Sequence, residues 1–347
     1  MSRRYFAKKV LQAILTILAI AVLNFALFRM LPGDPINTLL PKGPAATPER
    51  KAQLREALGL DLPLWPVNVV VTEAGPRLED FPQSITENQF FLYMGNLLTL
   101  ELGDSLYARK SVAQVIGERI GPTLLLVLTA EVLALFFGLL IGIRAGWKRG
   151  GVFDTVSINT SLILYAVPLF WLGMLLLYFF ATSNGLNLFP SQQMVTAGAT
   201  FDNPIELWLD ILSHLVLPAT TLALGLLAGY ALIMRSSLID TLSEDYITTA
   251  RAKGLKENSI LRRHAIPNAL LPTVTLIALT LGYVIGGAIG VEEVYTWPGM
   301  GSLIVDSVAR KDYPVLQGIF LVITISVVVA NFVADMAYGV LDPRVRR

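Results

Sequence analysis

A short polar stretch between two long apolar segments organises this chain, and it reads Glu244-Asp245-Tyr246-Ile247-Thr248-Thr249-Ala250-Arg251-Ala252-Lys253-Gly254. Thr241, with Glu244 three residues later, has the spacing of a capping box, which predicts that a helix starts here. Gly254 is suited to end that helix, because glycine enters the left-handed cap conformation without steric cost. About ten residues are too few for a stable isolated helix in water, so we expect that other structure holds it.

The predicted helix has two different sides. Its helical spacing gives two opposite stripes, which are Tyr246, Ala250 and Lys253 and, across from them, Glu244, Thr248 and Arg251. A stripe of small and aromatic residues beside a membrane is a candidate for docking into a groove of another protein. The alternative is a solvated helix that only links two membrane spans.

The composition of the whole chain is that of a membrane protein. Its 347 residues are 54% hydrophobic and 15% charged, with a mean hydropathy of +0.60, whereas a soluble domain carries about 25% charged residues. The net charge of +1 provides no basic excess to neutralise phosphates, so we expect no nucleic-acid partner. With no cysteine and two histidines, the chain is not expected to form a disulfide or a metal site.

Six apolar stretches are long enough to cross a bilayer, which predicts an all-α membrane protein with six transmembrane helices. The predicted spans lie at about 10–30, 122–146, 156–182, 214–236, 267–290 and 315–340. The first resembles a secretory signal peptide with Ala19-Ile20-Ala21 as its cleavage site. Its apolar run continues to Phe28, however, so we expect a retained helix.

The distribution of Lys and Arg predicts the orientation of these spans. Basic residues occur at both termini and in the second-to-third and fourth-to-fifth connections, whereas residues 183–213, between the third and fourth spans, contain none. Because basic loops stay in the cytoplasm, we expect both termini and the stretch 244–254 on the cytoplasmic side.

The predicted spans and their connections divide the chain into four parts. Residues 1–30 form the tail and first helix, 31–116 a sizeable extracytoplasmic region, 117–340 the remaining five helices with a loop at about 241–266, and 341–347 a cytoplasmic tail. Within the second part, Thr47-Pro48-Glu49 predicts the start of a short helix, and residues 67–72 favour a short strand.

A few polar residues interrupt the apolar spans. A charged side chain in hydrocarbon costs several kcal/mol, so Glu131 should face a cavity or a partner. It is either a pathway residue or part of a hydrogen bond between helices. Asn331 and Asp335 lie one turn apart in the sixth span, and we expect a packing or interface role for them, with Asp335 close enough to the cytoplasmic end to reach water or Arg344.

Glycines and prolines mark where helices should touch or bend. Two series have four-residue spacing and permit close helix approach, namely Gly138, Gly142 and Gly146, and Gly282, Gly286 and Gly290. They alternatively line a pathway that opens and closes. Pro168 and Pro272 are expected to kink their spans.

Motifs of the common membrane-bound enzymes are absent. The sequence contains no G-x-x-x-x-G-K-[ST], no H-E-x-x-H and no G-x-S-x-G. We therefore expect that the chain neither binds ATP through a P-loop nor acts as an enzyme.

Four motifs together resemble one family. The stretch 244–254 followed by Arg263-His264 and Asn268-Ala269-Leu270-x-Pro272 is similar to the cytoplasmic "EAA" loop of ABC importer permeases. The second motif is Pro32-Gly33-Asp34-Pro35, after the first span. The third combines Gly286-Gly287-Ala288, Glu292-x-Val294-Tyr295-x-Trp297-Pro298-Gly299-Met300-Gly301 and Asp312-Tyr313-Pro314. The fourth, at the end of the chain, combines Asn331-x-x-x-Asp335 and Leu341-Asp342-Pro343-Arg344. They resemble the B-type permease subunit of dipeptide, oligopeptide and nickel importers. The chain departs from the family at about 67–90, where its outer loop is longer.

The resemblance implies a type I ABC importer permease fold and several partners. These are a homologous C-type permease subunit, two ABC ATPases that hold the ATP and Mg²⁺, an extracytoplasmic substrate-binding protein and the lipid bilayer. No cofactor is implied in this chain, and the implied location is the plasma (inner) membrane of a bacterium or archaeon. Specificity resides largely in the binding protein of such importers.

The resemblance also implies roles for particular residues. The ATPase-coupling residues would be Glu244, Tyr246, Ile247, Ala250, Arg251, Lys253 and Gly254, in a helix at about 243–255. The residues of the translocation pathway or of helix packing would be Glu131, Gly286, Asn331 and Asp335. The residues that face the binding protein would be Glu292, Trp297, Pro298 and Gly299.

The expected function is that of the permease of an ATP-driven importer that works by alternating access. Di- or oligopeptides are the expected cargo, since they are the commonest cargo of the resembling family. A nickel or other metal chelate, or another small solute, is the alternative within the family. A subunit for sensing or assembly that transports nothing is the alternative of a different class.

Overall fold

The computed structural model describes residues 3–30, 47–57, 61–64, 69–72, 75–78, 88–99, 101–283 and 289–341. Several predicted features lie outside these residues. They are the Pro32-Gly33-Asp34-Pro35 motif, Gly286, the predicted tail beyond Leu341 and much of the insertion at 67–90.

Helices form most of the regular structure. In chain order they are α1 (Arg3–Met30), α2 (Pro48–Ala57), α3 (Gln89–Leu98), α4 (Val112–Trp147), α5 (Val152–Ala166), α6 (Leu169–Ala181), α7 (Pro204–Leu242), α8 (Asp245–Ala252), α9 (Glu257–Ile260), α10 (Ile266–Ala269), α11 (Leu271–Tyr283), α12 (Ile289–Val294), α13 (Met300–Arg310) and α14 (Tyr313–Leu341). A π-helical turn, Leu261–Ala265, joins α9 to α10. The start of α2 confirms the helix predicted at Thr47-Pro48-Glu49, whereas α3 was not predicted.

A small sheet corrects the all-α prediction. Strands β1 (Val69–Thr72) and β2 (Gly75–Leu78) pair antiparallel, with Val69 opposite Leu78 and Thr72 opposite Gly75. Every residue of β1 is β-branched, and such side chains favour the extended backbone. The strand predicted within 67–72 is therefore confirmed, and the described residues are helical with one two-stranded sheet.

Four helices of the described chain are long and apolar enough to cross a membrane, and they contain Phe6–Phe28, Val112–Trp147, Pro204–Leu242 and Tyr313–Val333. Helices α5 and α6 together are also long and apolar enough, although the pair is bent by 103° at a short break. If the pair is counted as one span, the number of spans in the described chain is five. The break contains Pro168, which lacks the N–H that a continuous helix needs. The predicted kink at Pro168 is confirmed.

The stretch predicted as the fifth span, 267–290, is not one helix in the described residues. Pro267 follows the π-helical turn, in which the Ile266 N–H donates to the Leu261 carbonyl. Pro272 lies in the first turn of α11, directly after the break at Leu270 that separates α11 from α10, and a bend of the span at this break stays a prediction. The 13 described residues of α11 account for about 20 Å of the roughly 30 Å of hydrocarbon that a span has to cross. The count of six spans stays a prediction, because residues 284–288 lie outside the described chain.

The chain divides into two compact units. One contains Met1–Ala13, Arg119–Leu303 and Ser326–Arg347, and the other contains Ile14–Glu118 and Ile304–Ile325. The first unit holds an extended apolar cluster, built on α4, α6, α7, α12 and the segment after α12. Its fully buried large side chains are Leu126, Tyr230, Tyr295 and Trp297.

Glycines bring α4 and α7 into direct contact within the first unit. A methyl group at Gly138 would lie 2.6 Å from the Tyr230 Cβ, and one at Gly142 would lie 2.6 Å from the Ala231 carbonyl oxygen. Such distances leave no room for a side chain, so the two backbones pack directly. The close approach predicted from the spacing Gly138, Gly142 and Gly146 is confirmed.

In the second unit, a buried carboxylate fixes the loop before α4. Asp312, between α13 and α14, accepts hydrogen bonds from the Ser105 hydroxyl at 2.5 Å and from the backbone N–H groups of Leu106 and Tyr107 at 3.2 and 3.3 Å. Three donors satisfy a carboxylate that water does not reach. This contact gives the Asp312-Tyr313-Pro314 motif a structural role.

Gly142→Ala should destabilise the first unit. The added methyl group would lie 2.6 Å from the Ala231 oxygen and 2.7 Å from the Met234 Cβ, and overpacking of this kind costs about 1–3 kcal/mol. The thermal unfolding midpoint in detergent measures the effect. Gly121→Ala in the same helix is the control, because nothing lies within 4 Å of its added methyl group. Equal midpoints for the two variants would contradict the close packing of α4 and α7.

Candidate functional site

The stretch 244–254 forms a short helix directly after α7, a described helix of 39 residues. Helix α8 begins at Asp245 and ends at Ala252, and Gly254 has a φ of +74°, as predicted for the residue that ends it. The predicted capping box is wrong. Thr241 belongs to α7, which continues to Leu242, and Glu244 is the N-cap without a side-chain hydrogen bond to the helix.

One side of α8 is anchored in an apolar cluster. Ile247 is fully buried and Ala250 nearly so, and they pack with buried residues from α7 and from the segment after α8, which are Met234, Leu238, Ile260, Ala265 and Ala269. The predicted grouping of Tyr246 with Ala250 is wrong, because Tyr246 is 42% exposed. Ile247 and Ala250, three residues apart, form the buried side instead.

The other side of α8 is open. Glu244, Tyr246, Arg251 and Lys253 are exposed. The Arg251 guanidinium lies 3.0 Å from the Glu257 carboxylate, and both side chains remain about half exposed. A helix of eight residues is too short to be stable by itself, so its buried side holds it in place while its open side is free for a partner.

Glu131 joins three helices inside the first unit. Its Oε1 accepts hydrogen bonds from the hydroxyl groups of Tyr230 on α7 and of Thr280 on α11, the latter at 2.8 Å. The second carboxyl oxygen is buried without a hydrogen-bond partner. This geometry favours the helix-packing alternative for Glu131, and a role in the pathway stays a prediction.

The other residues predicted to line the pathway or to pack helices are Asp335 and Asn331, both on α14, and Gly286. Asp335 lies 2.7 Å from the Lys9 Nζ, and this ion pair joins α14 to α1. The packing role expected for Asp335 therefore involves Lys9. Asn331 is exposed on α14, and Gly286 lies outside the described residues.

Glu292 is buried and caps the start of α13. Its carboxylate accepts hydrogen bonds from the Thr123 hydroxyl at 2.9 Å and from the Ser302 N–H at 3.0 Å. Thr123 in turn accepts a hydrogen bond from the Met300 N–H at 2.7 Å. The first N–H groups of a helix lack internal partners, and Glu292 and Thr123 supply them. Burial raises the pKa of the Glu292 carboxyl above its ordinary value.

Two aromatic side chains anchor the same segment. The Trp297 Nε1–H donates to the Pro122 carbonyl on α4 at 2.9 Å, and the Tyr295 hydroxyl donates to the Gly173 carbonyl on α6 at 3.0 Å. Both rings are buried. Hydrogen bonds at the polar tip of a buried aromatic ring fix its position, so they tie the segment after α12 to two helices.

The inward direction of these side chains corrects one expectation. Glu292 and Trp297 are fully buried, Gly299 is buried and Pro298 is half-buried. Glu292, Trp297 and Gly299 therefore offer no surface to a binding protein, whereas such a contact for the half-buried Pro298 stays a prediction. Gly299 instead leaves room for Glu292, because a methyl group at Gly299 would overlap the carboxylate.

The sequence patterns did not single out the partners of the buried acids. Thr123, Tyr230 and Thr280 contact Glu131 or Glu292, and Arg235 pairs with Asp154. Each is a single polar residue in an apolar helix. Such a residue does not reveal its hydrogen-bond partner until the helix packed against it is known. Among the described residues, no group of three His, Asp or Glu side chains is arranged to hold a metal ion.

Comparison with known proteins identifies the family. Residues 138–347 match the model of the binding-protein-dependent transport system inner membrane component, and residues 2–129 match the model of its N-terminal part. The chain belongs to this family. It is a permease component of a binding-protein-dependent transport system, and its family is one of transport proteins rather than enzymes.

Relatives of this inner membrane component match it from end to end. It is 37% identical over 344 residues to a putative peptide permease protein of Brucella suis biovar 1, covering 99% of each chain. It is 34% identical over 353 residues to a di/tripeptide transport system permease protein of Pseudomonas aeruginosa, covering 99% and 98%. It is 35% identical over 342 residues to a glutathione transport system permease protein of Salmonella choleraesuis, covering 99% and 98%.

The fold of the permease component resembles a solved ABC transporter. The MetNI methionine ABC transporter in an inward-facing conformation aligns with a TM-score of 0.53 and 17% identity, over 66% of this chain and 97% of that one. At this identity the likeness concerns the fold alone.

Glu292→Gln should change how the stability of the permease depends on pH. Because burial raises the carboxyl pKa above 4.5, the folded protein binds this proton more tightly than the unfolded chain. The proton therefore stabilises the fold fully below about pH 4.5, and this contribution is lost as pH rises through the raised pKa. We expect wild type to lose stability relative to the variant over this rise.

Thermal unfolding from about pH 4 to about pH 8 tests this expectation. Glu293→Gln is the control, because the Glu293 side chain is exposed next to the buried one. Parallel pH curves for wild type and Glu292→Gln would contradict the assigned burial of Glu292.

Tyr230→Phe should destabilise the junction of α4, α7 and α11. The change removes the hydroxyl that donates to Glu131 and leaves a buried carboxyl with Thr280 as its remaining described donor. Loss of one such donor costs about 1–3 kcal/mol. Tyr165→Phe, at an exposed tyrosine of α5, is the control, and an equal thermal midpoint for both variants would disprove the role of the hydroxyl.

Proposed function

We propose that this chain is the membrane-spanning permease subunit of an ATP-driven importer that receives di- or oligopeptides from a binding protein. Membership of the family supports the transport role. The peptide cargo is supported by relatives that are called peptide, di/tripeptide and glutathione permeases and that match 99% of the chain. The observation that carries the ATP-driven mechanism is helix α8, anchored on one side and open on the other.

Helix α8 is proposed as the coupling helix. Ile247 and Ala250 hold it against the end of α7, so a force applied to its exposed side moves the end of a 39-residue helix. Tyr246, Arg251 and Lys253 are available on the exposed side to contact a cytosolic ATPase. Gly254 ends the helix by turning the chain at positive φ.

The partner proteins supply the energy in this proposal. Two ABC ATPases would bind ATP and Mg²⁺. Binding and hydrolysis of ATP would provide the free energy that closes the ATPase pair and then resets it. A homologous C-type permease subunit would complete the pathway. This chain contributes a packing with two arrangements, one inward-open and one outward-open, and the ATPases bias the equilibrium between them.

Both termini are proposed to lie on the cytoplasmic side of the inner membrane. The Lys9–Asp335 ion pair supports this proposal, since it brings the start of α1 close to the end of α14. The absence of Lys and Arg from residues 183–213 supports the opposite location for the connection from α6 to α7.

The end of α12 and the segment after it are proposed to approach the binding protein with different side chains from those first expected. Glu293 and Thr296 are exposed there, between the buried Glu292, Tyr295 and Trp297. The buried residues would hold the shape of the segment, and the exposed ones would be its contact points.

Reconstitution of the complex in proteoliposomes tests the function. The permease, its C-type partner, the ATPases and the binding protein should accumulate a labelled dipeptide when ATP is present and not with a non-hydrolysable analogue. Accumulation of a nickel chelate in place of peptide would disprove the cargo. Absence of any ATP-dependent uptake, with the complex intact, would disprove the importer.

Arg251→Glu should uncouple transport while leaving the fold intact. An exposed charge change shifts stability by about 0.5 kcal/mol or less, but a reversed charge at a docked surface costs several kcal/mol of binding. We expect normal membrane insertion and uptake reduced about tenfold or more.

The matched control is Lys110→Glu. Lys110 also forms an exposed ion pair, with a side-chain exposure of 46% against 44% for Arg251, but it lies before α4 and far from α8 in sequence. Uptake should stay close to wild type in this variant. Unchanged uptake by Arg251→Glu would exclude α8 as the coupling helix.

A further inference from the structure

An ion pair with a buried carboxylate connects α5 to α7. The Arg235 guanidinium meets the Asp154 carboxylate with two hydrogen bonds, from Nε at 2.5 Å and from Nη2 at 2.8 Å. The Asp154 side chain is 4% exposed and that of Arg235 is 28% exposed. A two-point contact between guanidinium and carboxylate fixes orientation as well as distance, so it sets the register between the two helices.

Asp154 is itself held by the turn between α4 and α5. The Gly150 N–H donates to the Asp154 carboxylate at 2.9 Å, and Gly150 has a φ of +76°, which suits glycine. Asp154 lies in the first turn of α5, where a negative charge is favourable. The carboxylate therefore belongs rigidly to the start of α5.

Arg235 belongs equally firmly to the end of α7 that carries α8. Its neighbours Met234 and Leu238 are fully buried in the same cluster as Ile247 and Ala250. Arg235 thus links this cluster through α7 to Asp154 on α5. Helix α5 then leads to the 103° bend before α6.

We propose that Asp154 and Arg235 form the joint that transmits movement of α8 to α5 and to the bend between α5 and α6. This inference rests on the proposed function of α8 as the coupling helix. Apolar contacts are not directional and permit sliding, whereas the ion pair resists it. Without the ion pair, α7 slides past α5 when α8 moves. The free energy of ATP hydrolysis then does not reach the translocation pathway. Both side chains are positioning residues.

Paired measurements of uptake and ATP hydrolysis in the same proteoliposomes test the joint. In Asp154→Asn and Arg235→Gln, dipeptide uptake per ATP hydrolysed should fall about fivefold, within the range expected when a coupling contact is lost. The exchange Asp154→Arg with Arg235→Asp should restore part of the ratio. The restoration is incomplete because an arginine at 154 cannot accept the Gly150 N–H. Glu118→Gln, which breaks an exposed ion pair, should leave the ratio unchanged.

A purely structural role gives a different result. Loss of folded complex lowers uptake and hydrolysis together and leaves their ratio at the wild-type value, and that outcome for Asp154→Asn overturns the proposal. A fall in the ratio that the charge exchange does not reverse at all overturns it too.

A measurement that does not depend on the cargo completes the test. The chain contains no cysteine, so spin labels can be placed at Thr249→Cys on α8 and Thr155→Cys on α5, both exposed positions. In the complete complex, the distance between them should keep one narrow distribution with and without ATP in wild type, and broaden in Asp154→Asn. An equally narrow distribution in Asp154→Asn overturns the joint. If wild type takes up no peptide, the proposed cargo is wrong, and the label distances still decide this inference.

Discussion

The burial of Ile247 and Ala250 against the end of α7 is the contact on which the functional reading of this permease depends. A helix of eight residues with charged and polar neighbours has no stability of its own. Two apolar side chains, three residues apart, are enough to fix it because α7 and the segment after α8 surround them with five more buried residues. The polar side of the helix is left in contact with solvent, and this asymmetry makes it a surface for a partner.

Buried acids fix contacts between distant parts of the described chain. Glu131 connects α4, α7 and α11, Glu292 caps α13, Asp154 connects α5 to α7, and Asp312 fixes the loop before α4. In a protein this apolar, contact area alone does not select one register, since lipid and helix surfaces are similarly apolar. Directional hydrogen bonds to a carboxylate select it, and each acid meets a donor from a distant part of the sequence.

Local chemistry made part of the fold and of the site predictable. Gly254 at positive φ, the break at Pro168, the strand of β-branched residues and the close approach of Gly138, Gly142 and Gly146 all follow from properties of single residue types. The family followed from motifs in a fixed order. The direction of each side chain did not, and so Tyr246 was grouped with Ala250, and Glu292 and Trp297 were expected to face outwards.

The sequence by itself determined that this is a helical membrane protein of a transport family, and where its short polar helix lies, because composition, helix-ending residues and motif order act along the chain. Only the tertiary structure decided which side of that helix is buried, which donors satisfy Glu131 and Glu292, and that Asp154 meets Arg235. Asp154 and Arg235 are separated by 81 residues, and no local pattern records a contact that forms only when α5 packs on α7. Whether a polar side chain in an apolar helix serves a partner or a neighbour depends on what lies opposite, which is a property of the packed helices.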